Sequence, residues 1–407
     1  MRLHRTGKVK GIKMTKNKIN ELKDFYYKEL IDDVVPFWQN NSVDWEHGGF
    51  MDFLDREGQP LSTDKGGWVQ GRAVWVFSTL YKEIEQKEEW LKIAENGIRF
   101  IREKLRRAED GRMYFETTRE GEGLVMRRYL FSEVFAAIGL AAYSEISGDS
   151  KALEEARDLY ALINRLSASG TLEAKIDPEV RSMRGHSMTM MMISLCQILR
   201  QADPDRAEEY TQRIDRQIDE LFRYFVKPEL KVLLETVGPD GERTEGPEGR
   251  CVNPGHAIET AWFIFEEAEY RGDDALLKRT LPIIEWSIER GWDEKFGGIF
   301  SFVDVDGKHP AQVEWDMKYW WPHCEAVIAF LQAYDMTGEQ KYLDWFDKIH
   351  DYTWAHFPDR EAGEWFGYLR RDGSVQVELK GNHFKGPFHI PRFLIKVYKR
   401  LENMSSK

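Results

Sequence analysis

The chain has 407 residues, a net charge of −12 and 13% aromatic residues, of which 14 are Trp. The acidic balance argues against non-specific binding to nucleic acid, and no apolar run is as long as a membrane span requires. The three cysteines, Cys196, Cys251 and Cys324, are too few for a paired disulfide framework and lack metal-ligand spacing, so we expect a cytoplasmic protein.

The chain begins with a basic stretch, residues 1–14, which no hydrophobic segment follows. It therefore does not have the composition of a secretory signal. We predict that residues 1–14 are a disordered extension and that residues 15–407 form a single domain. The first predicted helix lies near residues 15–39.

Short alternating stretches that end in turns recur six times along the chain. They cover residues 49–58, 112–116, 171–176, 231–235, 298–303 and 364–369. Their spacing of roughly sixty to sixty-seven residues is that of a diverged supersecondary repeat. Several end in a Gly-containing turn, such as Asp240-Gly241 and Asp306-Gly307, which is typical of a short β-hairpin.

Each interval between hairpins has room for two helices. The first pair is predicted at about Trp68 to Tyr81 and Glu88 to Leu105. The break between the two helices of a pair recurs as Gly148-Asp149, Gly272-Asp273 and Gly338-Glu339. With a last helix near 387–402, the count is twelve helices in six pairs. We therefore predict an all-α fold, a closed (α/α)6 barrel with β-hairpins on the active-site side; the alternative is an open helical solenoid.

The helix that follows each hairpin is the more apolar member of its pair, so it should belong to the inner ring. The predicted inner-helix starts are Trp68, Arg128, His186, His256, Trp320 and His389. Polar residues collect at these starts: Arg72, His186, His256 with Glu259, His323 with Glu325, and His389 with Arg392. A structural repeat alone gives no reason for histidines to gather at one end of one ring.

Histidines around a central cavity fit proton transfer at carbon, because imidazole both takes and gives a proton near neutral pH. Two imidazoles on opposite sides of a bound carbonyl compound would remove a proton from one face of a carbon and return one to the other. His256 and His389 are the predicted pair, since each follows a Pro/Gly turn that would let a ligand approach. Arg72 or Arg392 would stabilise the enolate. This chemistry requires neither a metal nor a redox cofactor.

Several of these residues have alternative interpretations. Glu259 and Glu325 would orient an imidazole, but as a catalytic carboxylate pair they would indicate a glycoside hydrolase. In a purely structural role, His186 and His323 would cap a helix or fill a gap in the packing. Trp320 would be either a core residue or a surface on which a sugar stacks. A third function is a non-catalytic protein-binding module, which has no need for imidazoles at converging helix ends.

Four segments, residues 68–72, 253–259, 318–326 and 384–392, resemble the N-acylglucosamine 2-epimerase family, also known as renin-binding protein. The resemblance implies an (α/α)6 barrel that interconverts N-acetyl-D-glucosamine and N-acetyl-D-mannosamine through an enolate at C2 of the open-chain sugar. Related members epimerise cellobiose or mannose-type sugars or isomerise aldoses to ketoses, and these activities remain alternatives.

The resemblance also implies roles for individual residues. His256 and His389 match the acid/base pair, and His186 matches a residue that assists ring opening. The expected substrate-binding residues are Arg72, Asn253, Glu259, Trp320, His323, Glu325 and Arg392. Family members suggest a homodimer, and some are stimulated by ATP. The sequence lacks a Gly-x-x-x-x-Gly-Lys-Ser/Thr loop, so an allosteric role for ATP is left open.

Overall fold

The computed structural model describes residues 14–407, so the predicted basic extension lies outside the described residues except for Met14. Thirteen α-helices are present there: α1 (Lys16–Lys28), α2 (Val35–Asn41), α3 (Gly67–Glu83), α4 (Glu88–Phe100), α5 (Phe131–Ser147), α6 (Ser150–Ser169), α7 (Ser187–Ala202), α8 (Ala207–Glu220), α9 (Pro254–Arg271), α10 (Asp274–Gly291), α11 (Trp320–Thr337), α12 (Gln340–His356) and α13 (His389–Ser406). A π-helical stretch, Glu29–Val34, joins α1 and α2 into one continuous element, which gives the predicted count of twelve.

The helices form two concentric rings. The odd-numbered helices from α3 to α13 pack against each other in sequence and close the inner ring where α13 meets α3. The remaining helices form the outer ring, and α1 pairs with α13. The structure thus confirms the (α/α)6 barrel and not the open solenoid. None of the helices in residues 14–407 is both long and apolar enough to cross a membrane.

Burial separates the two rings as the sequence pattern predicts. In the inner helix α3 almost every residue from Gly67 to Phe77 is buried. The outer helix α4 buries a single stripe at helical spacing, which includes Trp90, Ile93 and Gly97. An outer helix has solvent on one side, whereas an inner helix contacts other helices on both sides.

The breaks between paired helices follow the predicted Gly-acid pattern. Gly148 and Gly272 end α5 and α9 in the left-handed conformation, at φ 70° and 65°. The next residues, Asp149 and Asp273, cap the following helices by accepting backbone N–H bonds. Glu339 occupies the same place before α12 but makes no side-chain cap.

Short strands gather at the end of the ring where the inner helices begin. They are β1 (Lys65–Gly66), β2 (Glu116–Thr117), β3 (Gly123–Val125), β4 (Arg184–Gly185), β5 (Val226–Lys227), β6 (Val232–Leu233), β7 (Thr236–Val237), β8 (Cys251–Val252), β9 (Val303–Asp304), β10 (Lys318–Tyr319), β11 (Tyr368–Leu369) and β12 (Val375–Val377). The strand before an inner helix pairs antiparallel with a strand of the following hairpin, as in β1–β2, β4–β7, β8–β9 and β10–β11. Each repeat is thereby joined to the next.

Two expectations from the repeat pattern were wrong. Residues 171–176 form no strand, because Leu172 and Ile176 are only half-buried and the other residues of the segment are exposed, with no partner strand beside them. The inner helix α5 begins at Phe131 and not at Arg128, which is exposed.

A buried ion pair recurs in three of the repeats. Asp293 accepts backbone N–H bonds in the turn after α10, and its other oxygen lies 3.2 Å from Nζ of the fully buried Lys318. Arg371 pairs with the same carboxylate, and Nζ of Lys318 lies 3.7 Å from the ring centroid of Phe300. The equivalent ion pairs are Asp44 with Lys65 and Arg119, and Asp359 with Lys380 and Arg56. The lysine ammonium groups lie over Phe100, which belongs to α4, and over Phe366. In these three repeats the ion pair joins the turn after an outer helix to the segment before the next inner helix.

Removing Asp293 should destabilise the barrel, because Lys318 would then be buried without a counter-charge. Burial already lowers the pKa of Lys318 to about 8 against the opposing effect of Asp293. We expect Asp293→Ala to lower the free energy of unfolding by about 3 kcal/mol. Urea unfolding followed by circular dichroism measures this change. The control is Asp306→Ala, which breaks an exposed pair with Arg243 and should cost less than about 1 kcal/mol; equal losses in both variants would contradict the prediction.

Candidate active site

A cavity of about 460 Å³ opens at the strand end of the inner ring. Its wall includes seven of the predicted site residues: Arg72, Asn253, His256, Glu259, Trp320, His389 and Arg392. The helices that carry or follow them, α3, α9, α11 and α13, reach the cavity with their first two turns. The structure therefore brings both predicted acid/base histidines into one cavity.

His389 is held by a carboxylate behind it. Its Nδ1 lies 2.8 Å from Oε1 of Glu325. The same carboxylate accepts from Nη2 of Arg392 at 2.7 Å and from Nε1 of Trp262 at 2.8 Å. Burial raises the pKa of Glu325, and Arg392 and Trp262 oppose this shift. Because Glu325 accepts from both of these donors, we assign it as ionised and place the ring proton of His389 on Nδ1. Nε2 is then the nitrogen that carries the lone pair.

The surroundings of His389 favour its neutral form. Burial lowers the pKa of this imidazole well below its usual value, and the Arg392 guanidinium lowers it further, while Glu259 opposes the shift. A neutral imidazole with a free Nε2 is prepared to accept a proton at neutral pH.

The surroundings of His256, in contrast, favour its protonated form. Its Nδ1 lies 3.1 Å from both carboxylate oxygens of Glu235, and its backbone N–H is capped by Asn253. Burial opposes the charged ring, but the Glu235 carboxylate outweighs burial and raises the pKa of His256 above its usual value. The two imidazoles of the cavity therefore have opposite preferences, His256 for the protonated form and His389 for the neutral form.

Glu235 was not singled out in the sequence, although it ends the predicted hairpin stretch 231–235 and is its one acidic residue. Glu235 also lies 3.6 Å from Nδ1 of His186. His186 is fully buried and does not line the cavity; its Nε2 lies 2.8 Å from Oγ1 of Thr260. His186 therefore lies behind Glu235 and is not part of the cavity wall, and its role in ring opening stays a prediction.

Trp321 lies close to both imidazoles. Its ring centroid is 5.1 Å from that of His256 and 5.8 Å from that of His389. A Cβ on Gly255 would lie 2.5 Å from the indole of Trp321. The glycine before His256 therefore makes room for this indole, and not for a ligand as we expected from the sequence.

Arg392 neutralises two carboxylates at the edge of the cavity. Its Nη2 donates to Oε1 of Glu259 and to Oε1 of Glu325. Burial lowers the pKa of Arg392, but the two carboxylates outweigh burial and raise it above its usual value. Glu259, Glu325 and His389 offer ligand atoms within 4.8 Å of one another, a spacing that a metal ion could use. The guanidinium already supplies a positive charge to this set.

Arg72 is a buried guanidinium with few polar contacts. Its Cζ lies 4.0 Å from the ring centroid of Phe135 and 5.0 Å from that of Phe388, and its Nη1 donates to the carbonyl of Phe384 at 3.3 Å. Burial lowers its pKa to about 9, with Glu259 opposing. Arg72 thus remains charged at neutral pH and has donors available for an oxyanion in the cavity.

His323 does not reach the cavity, contrary to the expectation that it binds substrate. Its Nδ1 lies 2.6 Å from the carbonyl of Tyr319, and its Nε2 accepts from the backbone N–H of Ile299 at 2.9 Å. The ring stacks on Tyr352, and burial lowers its pKa to about 3. His323 is therefore a neutral structural group that ties α11 to the preceding hairpin.

The chain is similar in sequence and in structure to known sugar 2-epimerases. Residues 48–389 match the sequence profile of the family described as N-acylglucosamine 2-epimerase (GlcNAc 2-epimerase). The chain is 37% identical to N-acylglucosamine 2-epimerase of Bos taurus, covering 95% of this chain and 92% of the bovine protein. It is 35% identical to the Homo sapiens protein of the same name, with coverages of 89% and 86%. The structure of cellobiose 2-epimerase from Bacillus thermoamylovorans B4167 superposes with a TM-score of 0.82 at 24% identity, covering 94% of this chain and 100% of that chain.

Proposed function

The chain belongs to the N-acylglucosamine 2-epimerase family, and from that premise we propose that it interconverts N-acetyl-D-glucosamine and N-acetyl-D-mannosamine. The observation that carries the proposal is the pair His256 and His389, which share one cavity and have opposite charge preferences. An inversion at one carbon needs a base on one face and an acid on the other.

The proposed reaction starts from the open-chain sugar. Nε2 of neutral His389 takes the C2 proton, and the electrons of the C–H bond form the C1–C2 double bond of an enolate. Arg72 binds the enolate oxygen at C1. The protonated ring of His256 then gives its Nε2 proton to the opposite face of C2, and the C1 carbonyl forms again. The two rings have then exchanged protonation states, and the reverse reaction or exchange with solvent restores them.

The alternative of a glycoside hydrolase is disfavoured by the arrangement of Glu259 and Glu325. Oxygens of these two carboxylates lie within 4.8 Å and accept from the same nitrogen of Arg392. Hydrolases place two carboxyl groups on either side of the scissile bond, about 5–9.5 Å apart. Glu325 is also fully buried behind His389. The pair is therefore suited to hold Arg392 and His389 and not to flank a sugar.

Incubation in deuterated water tests the proposed reaction. N-acetylglucosamine should give N-acetylmannosamine that carries deuterium at C2, because the base and the acid are different groups. Proton NMR measures both inversion and exchange. Glucose, mannose and cellobiose tested in parallel separate the N-acylglucosamine activity from the related epimerase and isomerase activities. Inversion without deuterium at C2 would exclude the two-histidine route.

We further propose a homodimer that acts in the cytoplasm and needs no cofactor for the proton transfers themselves. The three cysteines, Cys196, Cys251 and Cys324, are all free and buried, which suits a reducing compartment. ATP as an allosteric activator stays a prediction from the family resemblance, and the NMR assay with and without ATP decides it.

A further inference from the structure

His383 lies in the turn just before α13, with both of its ring nitrogens against carboxylates. Nδ1 lies 2.9 Å from Oδ2 of Asp52, and Nε2 lies 3.1 Å from Oε1 of Glu116. A neutral imidazole has a single N–H and would leave a lone pair facing one of these oxygens. The doubly protonated ring donates from Nδ1 to Asp52 and places its positive charge 3.1 Å from the Glu116 carboxylate. The geometry therefore favours a cationic His383.

The two carboxylates come from different parts of the chain. Asp52 is fully buried in the loop after α2, and its Oδ2 also accepts from the backbone N–H of Gly66 at 3.1 Å. Glu116 belongs to β2. Burial raises the pKa of Asp52, and the imidazole opposes this shift. The hydrogen bond to Asp52 raises the pKa of His383, burial opposes it, and Glu116 adds to the rise. With two donors on Oδ2, we assign Asp52 as ionised.

The next residue, Phe384, forms part of the cavity wall. Its carbonyl accepts from Nη1 of Arg72, and its ring packs edge-on against Trp68. Gly66, whose backbone N–H donates to Asp52, immediately precedes α3. This helix carries both Trp68 and Arg72. His383 thus connects the turn that contacts the Arg72 guanidinium to the strand that leads into its helix.

We propose that doubly protonated His383 is a positioning residue, which holds the 382–385 turn against Asp52 and Glu116 so that Phe384 keeps Arg72 directed at the substrate. The proposal rests on the proposed epimerase function. When His383 loses its second proton, one carboxylate faces a lone pair. The turn then loses one anchor and keeps those of Asn382 to Tyr368 and of Lys385 to Glu364. Phe384 is held less firmly, and with it the carbonyl that accepts from Arg72. The expected consequence is weaker substrate binding, with the proton transfers at His256 and His389 left intact.

Paired variants test the proposal. His383→Asn keeps a similar reach without the charge, whereas His383→Arg keeps a cation with several donors. For N-acetylglucosamine at pH 7 we expect His383→Asn to raise KM about tenfold with kcat changed less than about threefold. His383→Arg should keep KM within about threefold of the wild type. The matched control is His309→Asn, an exposed histidine in the loop after β9, which should change neither constant.

The pH profile separates positioning from a merely structural role. KM of the wild type should rise as the pH increases through the pKa of His383, and His383→Arg should lack this rise. A fall of kcat caused by deprotonation of His256 should remain in both proteins. A wild-type pH profile and KM in His383→Asn would overturn the proposal. If that variant does not fold, the comparison of His383→Arg with the wild type still decides it.

A readout that does not depend on turnover uses NMR of the imidazole side chains. Long-range proton–nitrogen spectra of the wild type, assigned by the signal that is lost in His383→Arg, should show both ring nitrogens of His383 protonated at pH 7. A singly protonated ring would overturn the proposal. Absence of sugar turnover with a doubly protonated His383 would instead contradict the proposed function.

Discussion

His389→Ala should lower kcat by about 10³-fold, because it removes the base that is neutral at physiological pH. Its Nε2 has the free lone pair, since Nδ1 is bonded to Glu325. His256→Ala should cause a loss of similar size by removing the proton donor to the other face. Steady-state assays with N-acetylglucosamine measure both effects.

Proton exchange without inversion distinguishes the two variants. In His256→Ala, His389 can still take a C2 proton and return a deuteron to the same face. That variant should therefore exchange one epimer without converting it, and His389→Ala should exchange the other epimer. His309→Ala, in an exposed loop, is the control. Exchange of the same epimer in both variants, or full activity in either, would contradict the assignment of one histidine to each face.

Much of the barrel was predictable because its repeat is encoded in local signals. Gly148-Asp149 and Gly272-Asp273 end one helix and cap the next with contacts inside the same few residues. The predicted strand at 171–176 does not form, which shows that a local sequence pattern does not specify strand pairing. Alternation gives a segment the pattern of a strand, but a strand forms only where a partner is present, and that depends on the tertiary fold.

The site was predictable in position but not in orientation. Sequence placed His256, His389 and His323 at inner-helix starts, and all three lie there. A helix turns about 100° per residue, so His323 lies roughly 200° around α11 from Trp321, on the side away from the cavity. Glu325, two residues further along, returns to the side of Trp321 and meets His389. Helix phase would have separated these two residues in advance.

The contacts of Glu235 could not be read from sequence in the same way. Its distance from His256 depends on the position of the β5–β6 hairpin relative to the start of α9. No periodicity specifies that placement. The charge preference of His256 follows from this contact, which depends on the tertiary fold and not on any local sequence pattern.

Arg392→Met should abolish activity and also destabilise the fold. The guanidinium is buried against Glu259 and Glu325, and its removal leaves two carboxylates close together without a counter-charge. We expect a loss of about 3–5 kcal/mol in the free energy of unfolding. Arg392 also holds the pKa of His389 down, so without it this ring should protonate more readily and lose its function as a base. Urea unfolding and the epimerase assay measure the two effects.

A double variant separates stability from catalysis at the same site. Arg392→Met combined with Glu259→Met replaces an ion pair by apolar side chains of similar size, so it should recover about half or more of the lost stability. Activity should stay lost, because Glu325 still lies against Nδ1 of His389 and no longer has the guanidinium that neutralises it. Both assays should include a chelator, since Glu259, Glu325 and His389 could bind a metal ion once the guanidinium is gone. Recovery of turnover in the double variant would contradict this prediction, and would show that Arg392 is needed only to offset the charge of Glu259.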